Sequence, residues 1–200
     1  MFEVIPFLSY VFVTTFTPGP NNIMAMSISG RYGWKKTLRF TLGVFSGFAL
    51  VLMLCAFANL LLYRVIPRIQ LAMNIIGAAY MAYLAYKILM SSTHAHSSEM
   101  DSSQFDRQNS FWGGFALQFV NAKGILYGIT VMANFVIPYF KSSISLILFS
   151  LGMAFTCFLA NNSWAFLGSL FQRFLTKYEK IFNVVMALLL LYCAVSLFTH

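Results

Sequence analysis

Three clusters of residues carry chemistry in an otherwise apolar chain. Thr17-Pro18-Gly19-Pro20-Asn21-Asn22 lies inside the first hydrophobic run, Asn121-Ala122-Lys123 inside the fourth, and Asn161-Asn162-Ser163 inside the fifth. The first cluster joins two prolines, which lack a backbone donor, to a glycine that favours non-helical angles. The residue before each proline, Thr17 or Gly19, is also driven out of the helical region. In lipid, backbone freed in this way is tolerated only where it is buried in protein or lines a cavity. The stretch is therefore either a discontinuous helix that holds a solute near mid-membrane or a kinked packing helix with no ligand. Pro-x-Pro followed by two asparagines favours the first reading. A helix restarting at Asn21 or Asn22 would use asparagine as its N-cap and present its N–H groups and dipole to an anionic group.

Lys123 is a charge inside an apolar run. An ammonium at bilayer depth costs about 2.5–3.5 kcal/mol on the insertion scale, and such residues normally face the bundle interior and carry function. The bland reading is that the span starts later and Lys123 snorkels to the interface. Ser110 to Lys123 is about four helical turns, which makes that escape difficult. Asn161 and its neighbour Asn162 need partners inside their span, and packing glue between helices explains them as well as a ligand does.

The elements that must position these groups follow from composition. Of the 200 residues, 60% are hydrophobic and 9% charged, against about 25% charged in a soluble domain. Apolar runs cover 4–30, 40–63, 69–86, 108–140 with Lys123 inside, 142–172 and 181–200. About 20 apolar residues cross a bilayer, so six spans in one domain, 1–200, are expected. The second span carries Gly43 and Gly47 in GxxxG spacing, a close-packing signal. The last span is Leu-rich and nearly featureless, suited to facing lipid or another protomer of a homo-oligomer. The N-terminus has neither the basic region nor the cleavage site of a signal peptide.

The net charge of +8 reads as basic loops facing anionic lipid, not as a nucleic-acid footprint. Arg31, Lys35, Lys36, Arg39, Lys87, Arg107, Arg173, Lys177 and Lys180 fall on one side; Arg64, Arg68 and Lys141 fall on the other. That asymmetry puts the odd-numbered loops in the cytoplasm and both termini on the outer face. Residues 91–110 form the one polar stretch, a flexible cytoplasmic loop. His94, His96, Glu99 and Asp101 lie in it, but their spacing is unspecific for metal and a solvated linker is the plainer reading. Cys55, Cys157 and Cys193 read as small buried hydrophobes. Nothing in the sequence calls for a metal or a cofactor.

Thr17 and Asn121 stand 104 positions apart, and each opens an irregular polar stretch early in its half. Residues 1–90 and 111–200 then form two three-helix repeats. Three spans per half is an odd number, so the halves are inverted relative to each other, and two broken helices meet near the midplane. The expected fold is an all-α membrane protein of six transmembrane helices in two inverted three-helix repeats with a broken first helix.

TPGPNN resembles the signature of the lysine-exporter (LysE/RhtB) family of bacterial amino-acid exporters. The chain is most similar to the cysteine/O-acetylserine exporter branch, through Ser110–Gly128 (SFWGGFALQFVNAKGILYG), Leu170–Arg173 (LFQR) and Ala187–Val195 (ALLLLYCAV). The family often has proline after the asparagine of span 4. Here that position is Ala122, which implies a milder second break. The resemblance implies secondary-active efflux of small neutral amino acids from the cytoplasm across the bacterial inner membrane, coupled to protons.

A zwitterion needs donors for its carboxylate and acceptors for its ammonium. The N–H groups after the break, Asn21 and Asn22 would hold the carboxylate, with Lys123 as a second partner. Open carbonyls around Thr17, Pro18 and Gly19, with Asn121, would take the ammonium. No Asp or Glu lies deep in any span, so Lys123 is the evident deep group to carry a proton. The rivals are a channel or facilitator, which would need a continuous polar path, and an accessory subunit. An enzyme is disfavoured, because the histidines at 94, 96 and 200 lie outside the spans.

Overall fold

In the computed structural model the described residues are 2–58, 71, 75–76, 78–86, 88–90, 110–170 and 179–199. Their regular structure is helical: α1 (Val4–Phe16), α2 (Pro20–Tyr32), α3 (Trp34–Phe57), α4 (Phe111–Val120), α5 (Ala122–Val131) running into a π-helical turn (Met132–Val136), α6 (Ser143–Leu170) and α7 (Glu179–Thr199). Residues 78–86 are also helical. Arg64 and Arg68, the loop bearing His94 and His96, and Arg173 and Lys177 lie outside the described residues.

The first hydrophobic run breaks where proline chemistry requires it. Thr17, ahead of Pro18, is extended (φ −63°, ψ 148°), and so is Gly19 ahead of Pro20 (φ −163°, ψ 173°). The second half restarts at Pro20, not at Asn21 or Asn22 as expected. Proline at the first helical position has φ already set and a missing N–H that helix geometry does not need there, so Gly19 becomes the cap residue.

The junction between α2 and α3 corrects a second expectation. The basic cluster reads as a loop in the sequence, yet Gly33 alone separates the two helices. Its φ of +83° is a conformation that glycine adopts without strain. Arg31 falls in the last turn of α2, where a cation suits the helix dipole, and Lys35, Lys36 and Arg39 lie in the first turns of α3.

The second break is not mild. The helix pair flanking Asn121 bends by 67° although the residue after Asn121 is Ala122 and not a proline. Asn121 leaves the helical region (φ −82°, ψ 85°), and its Oδ1 accepts the N–H of Gly124 at 3.3 Å. A side-chain cap therefore ends one helix and starts the next without any help from a pyrrolidine ring.

α3 runs through the packed centre against α4 and α6, while α2 lies between α3 and α6. The glycine spacing acts as a contact surface. A Cβ on Gly43 would strike the carbonyl of Phe111, one on Gly114 would strike the carbonyl of Phe40, and one on Gly47 would lie 2.6 Å from the carbonyl of Phe115. α7 is less featureless than its sequence suggests. Met186, Leu190 and Cys193 are buried along one face, and Val184, Leu188 and Tyr192 are exposed along another, so this helix packs inward and does not serve only lipid or a second protomer. Among the described residues α3 and α6 are each long and apolar enough to cross a membrane, and the bent α4–α5 pair makes a third span if counted as one.

Candidate functional site

The last four carbonyls of an α-helix have no partner within the helix. At the end of α1 they find partners on side chains. Asn22 Nδ2 donates to Thr15 O and to Thr17 O, both at 2.9 Å. Trp164 Nε1 on α6 donates to Phe16 O at 3.1 Å. Lys123 Nζ on α5 donates to Thr17 Oγ1 at 3.0 Å, to Pro18 O at 3.3 Å and to Thr17 O at 3.4 Å. Cys193 on α7 donates its thiol to Pro18 O at 3.7 Å. The carbonyls of Thr17 and Pro18 expected to be open to a ligand are thus occupied, and Lys123 is the cation that occupies them.

Gly19 leaves room for this approach, since a Cβ there would lie 3.2 Å from Lys123 Nζ and crowd it. Its carbonyl accepts the first intrahelical bond of α2, from Ile23 N–H at 2.9 Å. The N–H groups of Asn21 and Asn22 precede that bond and lie at the positive end of the α2 dipole. The break therefore places the negative end of α1 beside the positive end of α2, an arrangement complementary to a zwitterion.

The two breaks are tied directly to each other. Asn21 and Gln118 exchange amide hydrogen bonds, Nδ2 to Oε1 at 2.9 Å and Nε2 to Oδ1 at 3.2 Å. Gln118 Nε2 also donates to Gly114 O at 3.0 Å. Asn121 Nδ2 donates to Asn21 Oδ1 at 3.3 Å. Gln118 is 1% exposed, so its amide is desolvated, and each of its polar atoms has a partner.

Two cavities flank Lys123. A smaller one of about 50 Å³ is bounded by Thr15, Asn21, Asn22, Asn121, Tyr127 and Cys157, among others. A wider cleft of about 740 Å³ opens beyond Thr17 and Pro18, between Tyr10, Leu126, Tyr192 and Cys193. Thr17 and Pro18 are exposed toward the cleft side, whereas Gly19 and Pro20 are buried. Lys123 and Tyr127 border both spaces. The Tyr127 hydroxyl is buried facing the Thr15 side chain without closing a hydrogen bond.

Of the sequence candidates, Thr17, Pro18, Gly19, Pro20, Asn21, Asn22, Asn121 and Lys123 all line these spaces. Asn161 does not. It is fully buried one turn from Cys157, to whose Sγ its Nδ2 donates at 3.3 Å, and its Oδ1 has no partner among the described residues. Sequence reasoning missed Gln118, Tyr127 and the capping role of Trp164. Gln118 left a usable signal: a lone amide within the apolar run, three residues before Asn121.

Apolar helices that break at polar caps around shared cavities define a helical membrane translocator. The chain belongs to the LysE type translocator family, whose match spans residues 12–200. It is a membrane transporter, not an enzyme. The cysteine/O-acetylserine efflux proteins of Escherichia coli (strain K12) and Shigella flexneri serotype 5b (strain 8401) are each 40% identical to it over 192 residues, 96% of this chain and 95% of theirs. No solved structure matches the chain significantly.

Proposed function

We propose that this protein exports small neutral amino acids, cysteine and O-acetylserine among them, from the cytoplasm by proton-coupled secondary-active transport. The observation that carries this reading is the juxtaposition at the first break: the carbonyl end of α1 and the N–H end of α2 meet beside a cavity bordered by Lys123. The names of the relatives in Escherichia coli and Shigella flexneri support the substrate class. In this reading the substrate carboxylate lodges on the N–H groups of Asn21 and Asn22, aided by the Asn121 amide. Its ammonium takes the oxygens of Thr17 and Pro18. Gly19 and Pro20 fix the backbone between them, and Asn161 acts from behind the wall by orienting Cys157.

The finer architecture belongs to the same proposal. Residues 1–90 and 111–200 form two inverted three-helix repeats of one six-span domain in the inner membrane, joined by a cytoplasmic loop at 91–110, with both termini outside. The bonds that Asn121 donates to Asn21 and Lys123 donates to Thr17 support such a pairing, because they join corresponding breaks of the two halves.

The test is counterflow in proteoliposomes with a panel of labelled amino acids. Saturable accumulation of cysteine or O-acetylserine supports a carrier. Unsaturable flux without counterflow would instead identify a facilitator, and absence of flux from the purified protein an accessory subunit.

A further inference from the structure

The three oxygens offered to a substrate ammonium are those that hold Lys123 Nζ. Thr17 Oγ1, Thr17 O and Pro18 O lie 3.0, 3.4 and 3.3 Å from it, and an ammonium has three N–H donors to match them. No carboxylate shares the site: among the described residues lining either cavity there is no Asp, Glu, Arg or His. The titratable groups that face Lys123 are Tyr10 on α1, Tyr127 on α5, Cys157 on α6, and Tyr192 and Cys193 on α7. The cation is therefore held by neutral oxygens at the negative end of a 13-residue helix, and it borders two cavities with room for water.

We infer that Lys123 is a tethered place-holder for the substrate's ammonium, and that the two occupy the carbonyl end of α1 in turn. This rests on the transport reading above and supplies its coupling step. Two ammonium groups at the same three oxygens would repel strongly in a low-dielectric interior. For the substrate to load, Lys123 gives its proton to water in the cleft, and its neutral amine, one donor short and with a lone pair facing the carbonyls, leaves them. The substrate ammonium takes the vacated oxygens while its carboxylate takes the α2 N–H groups. On the other side the amine regains a proton from water, returns to Thr17 and Pro18, and displaces the substrate. No covalent bond is made or broken except N–H, and one proton moves inward for each substrate moved outward. Mutual exclusion at one site thus couples the two movements when the site faces each side of the membrane in turn. Gly19 eases the exchange, because a Cβ there would crowd Lys123 Nζ at 3.2 Å.

The experiment uses proteoliposomes loaded with O-acetylserine and an internal pH dye, with no imposed pH gradient. Efflux through the wild-type protein should acidify the lumen by about one proton per molecule released. Lys123→Met and Lys123→Gln should abolish the acidification. 3-Acetoxypropionate, which keeps the carboxylate and ester but lacks the ammonium, should compete at least tenfold more weakly than O-acetylserine. In detergent, ethylammonium should raise the melting temperature of Lys123→Met but not that of the wild type, because it fills the oxygens Lys123 has left. If one variant does not fold, the wild-type dye and competition measurements still decide the matter. Wild-type efflux without acidification would overturn the inference, as would acidification that persists in either variant or equal competition by the ammonium-free analogue. Absence of wild-type counterflow for any amino acid would refute the transport reading itself, so the two failures are distinguishable.

Discussion

Asn21 and Gln118 face each other across 97 residues of chain and pair their side-chain amides in both directions. One stands in the first turn after the proline break and the other in the last turn before the asparagine break. The pair fixes the two irregular segments relative to each other, and Asn121 adds a third amide to it. Removing Asn21 leaves the buried Gln118 Oε1 without a partner, which costs about 1–3 kcal/mol, and removing Gln118 leaves the partly buried Asn21 Nδ2 without one. Gln118→Leu should lower the melting temperature in detergent and reduce counterflow at least tenfold. A double-mutant cycle with Asn21→Ala should show strong coupling, and additive losses would separate the two residues.

The prolines set the break itself. Pro18→Ala combined with Pro20→Ala removes the steric bar to helix at Thr17 and Gly19 and returns two backbone donors. The helix should straighten, counterflow should fall to background, and the melting temperature should hold or rise. Wild-type flux in that variant would make the segment a kinked packing helix only.

Trp164 supplies an indole donor to the α1 end. Trp164→Phe keeps most of the ring volume and deletes the hydrogen bond to Phe16 O, a net loss of about 0.5–1.5 kcal/mol. A modest drop in melting temperature is expected, with transport reduced less than by any change at Lys123.

Glycine substitutions separate close approach from open space. Gly114→Ala drives a methyl into the carbonyl of Phe40, and overpacking of this kind costs about 1–3 kcal/mol. At Gly152, also helical, a Cβ would meet nothing within 4 Å among the described residues, so Gly152→Ala should be neutral or gain about 0.5–1 kcal/mol from helix propensity. Melting temperatures of the two variants should therefore move in opposite directions.

Groups that violate their surroundings are legible in the sequence. Thr17–Asn22 stands out because prolines and amides interrupt an apolar run, and Lys123 because a charge in such a run needs a reason. Gln118 is visible as an amide in an apolar run, but nothing in the sequence says which distant residue completes it. The sharp bend at Asn121 escapes a reading that counts only proline as a breaker, although an asparagine cap suffices. The α2–α3 boundary is lost among basic residues that have equal standing at helix ends and in loops. The inward face of α7 is hidden because leucine and methionine look alike against lipid and against protein. The roles of Thr17 and Pro18 differ most from expectation: their carbonyls look vacant in the sequence, yet Asn22 and Cys193 donate to them, and so does the Lys123 ammonium from 105 to 106 residues away.

The most direct measurement is a solid-state NMR distance between O-acetylserine labelled with 13C at its carboxyl carbon and protein labelled with 15N at asparagine, in lipid. A carboxylate held by the backbone N–H groups of Asn21 and Asn22 should dephase against those backbone nitrogens with a C···N distance of about 4 Å. Saturating binding with no dephasing at either backbone nitrogen would place the substrate elsewhere and contradict a binding site built at the helix break.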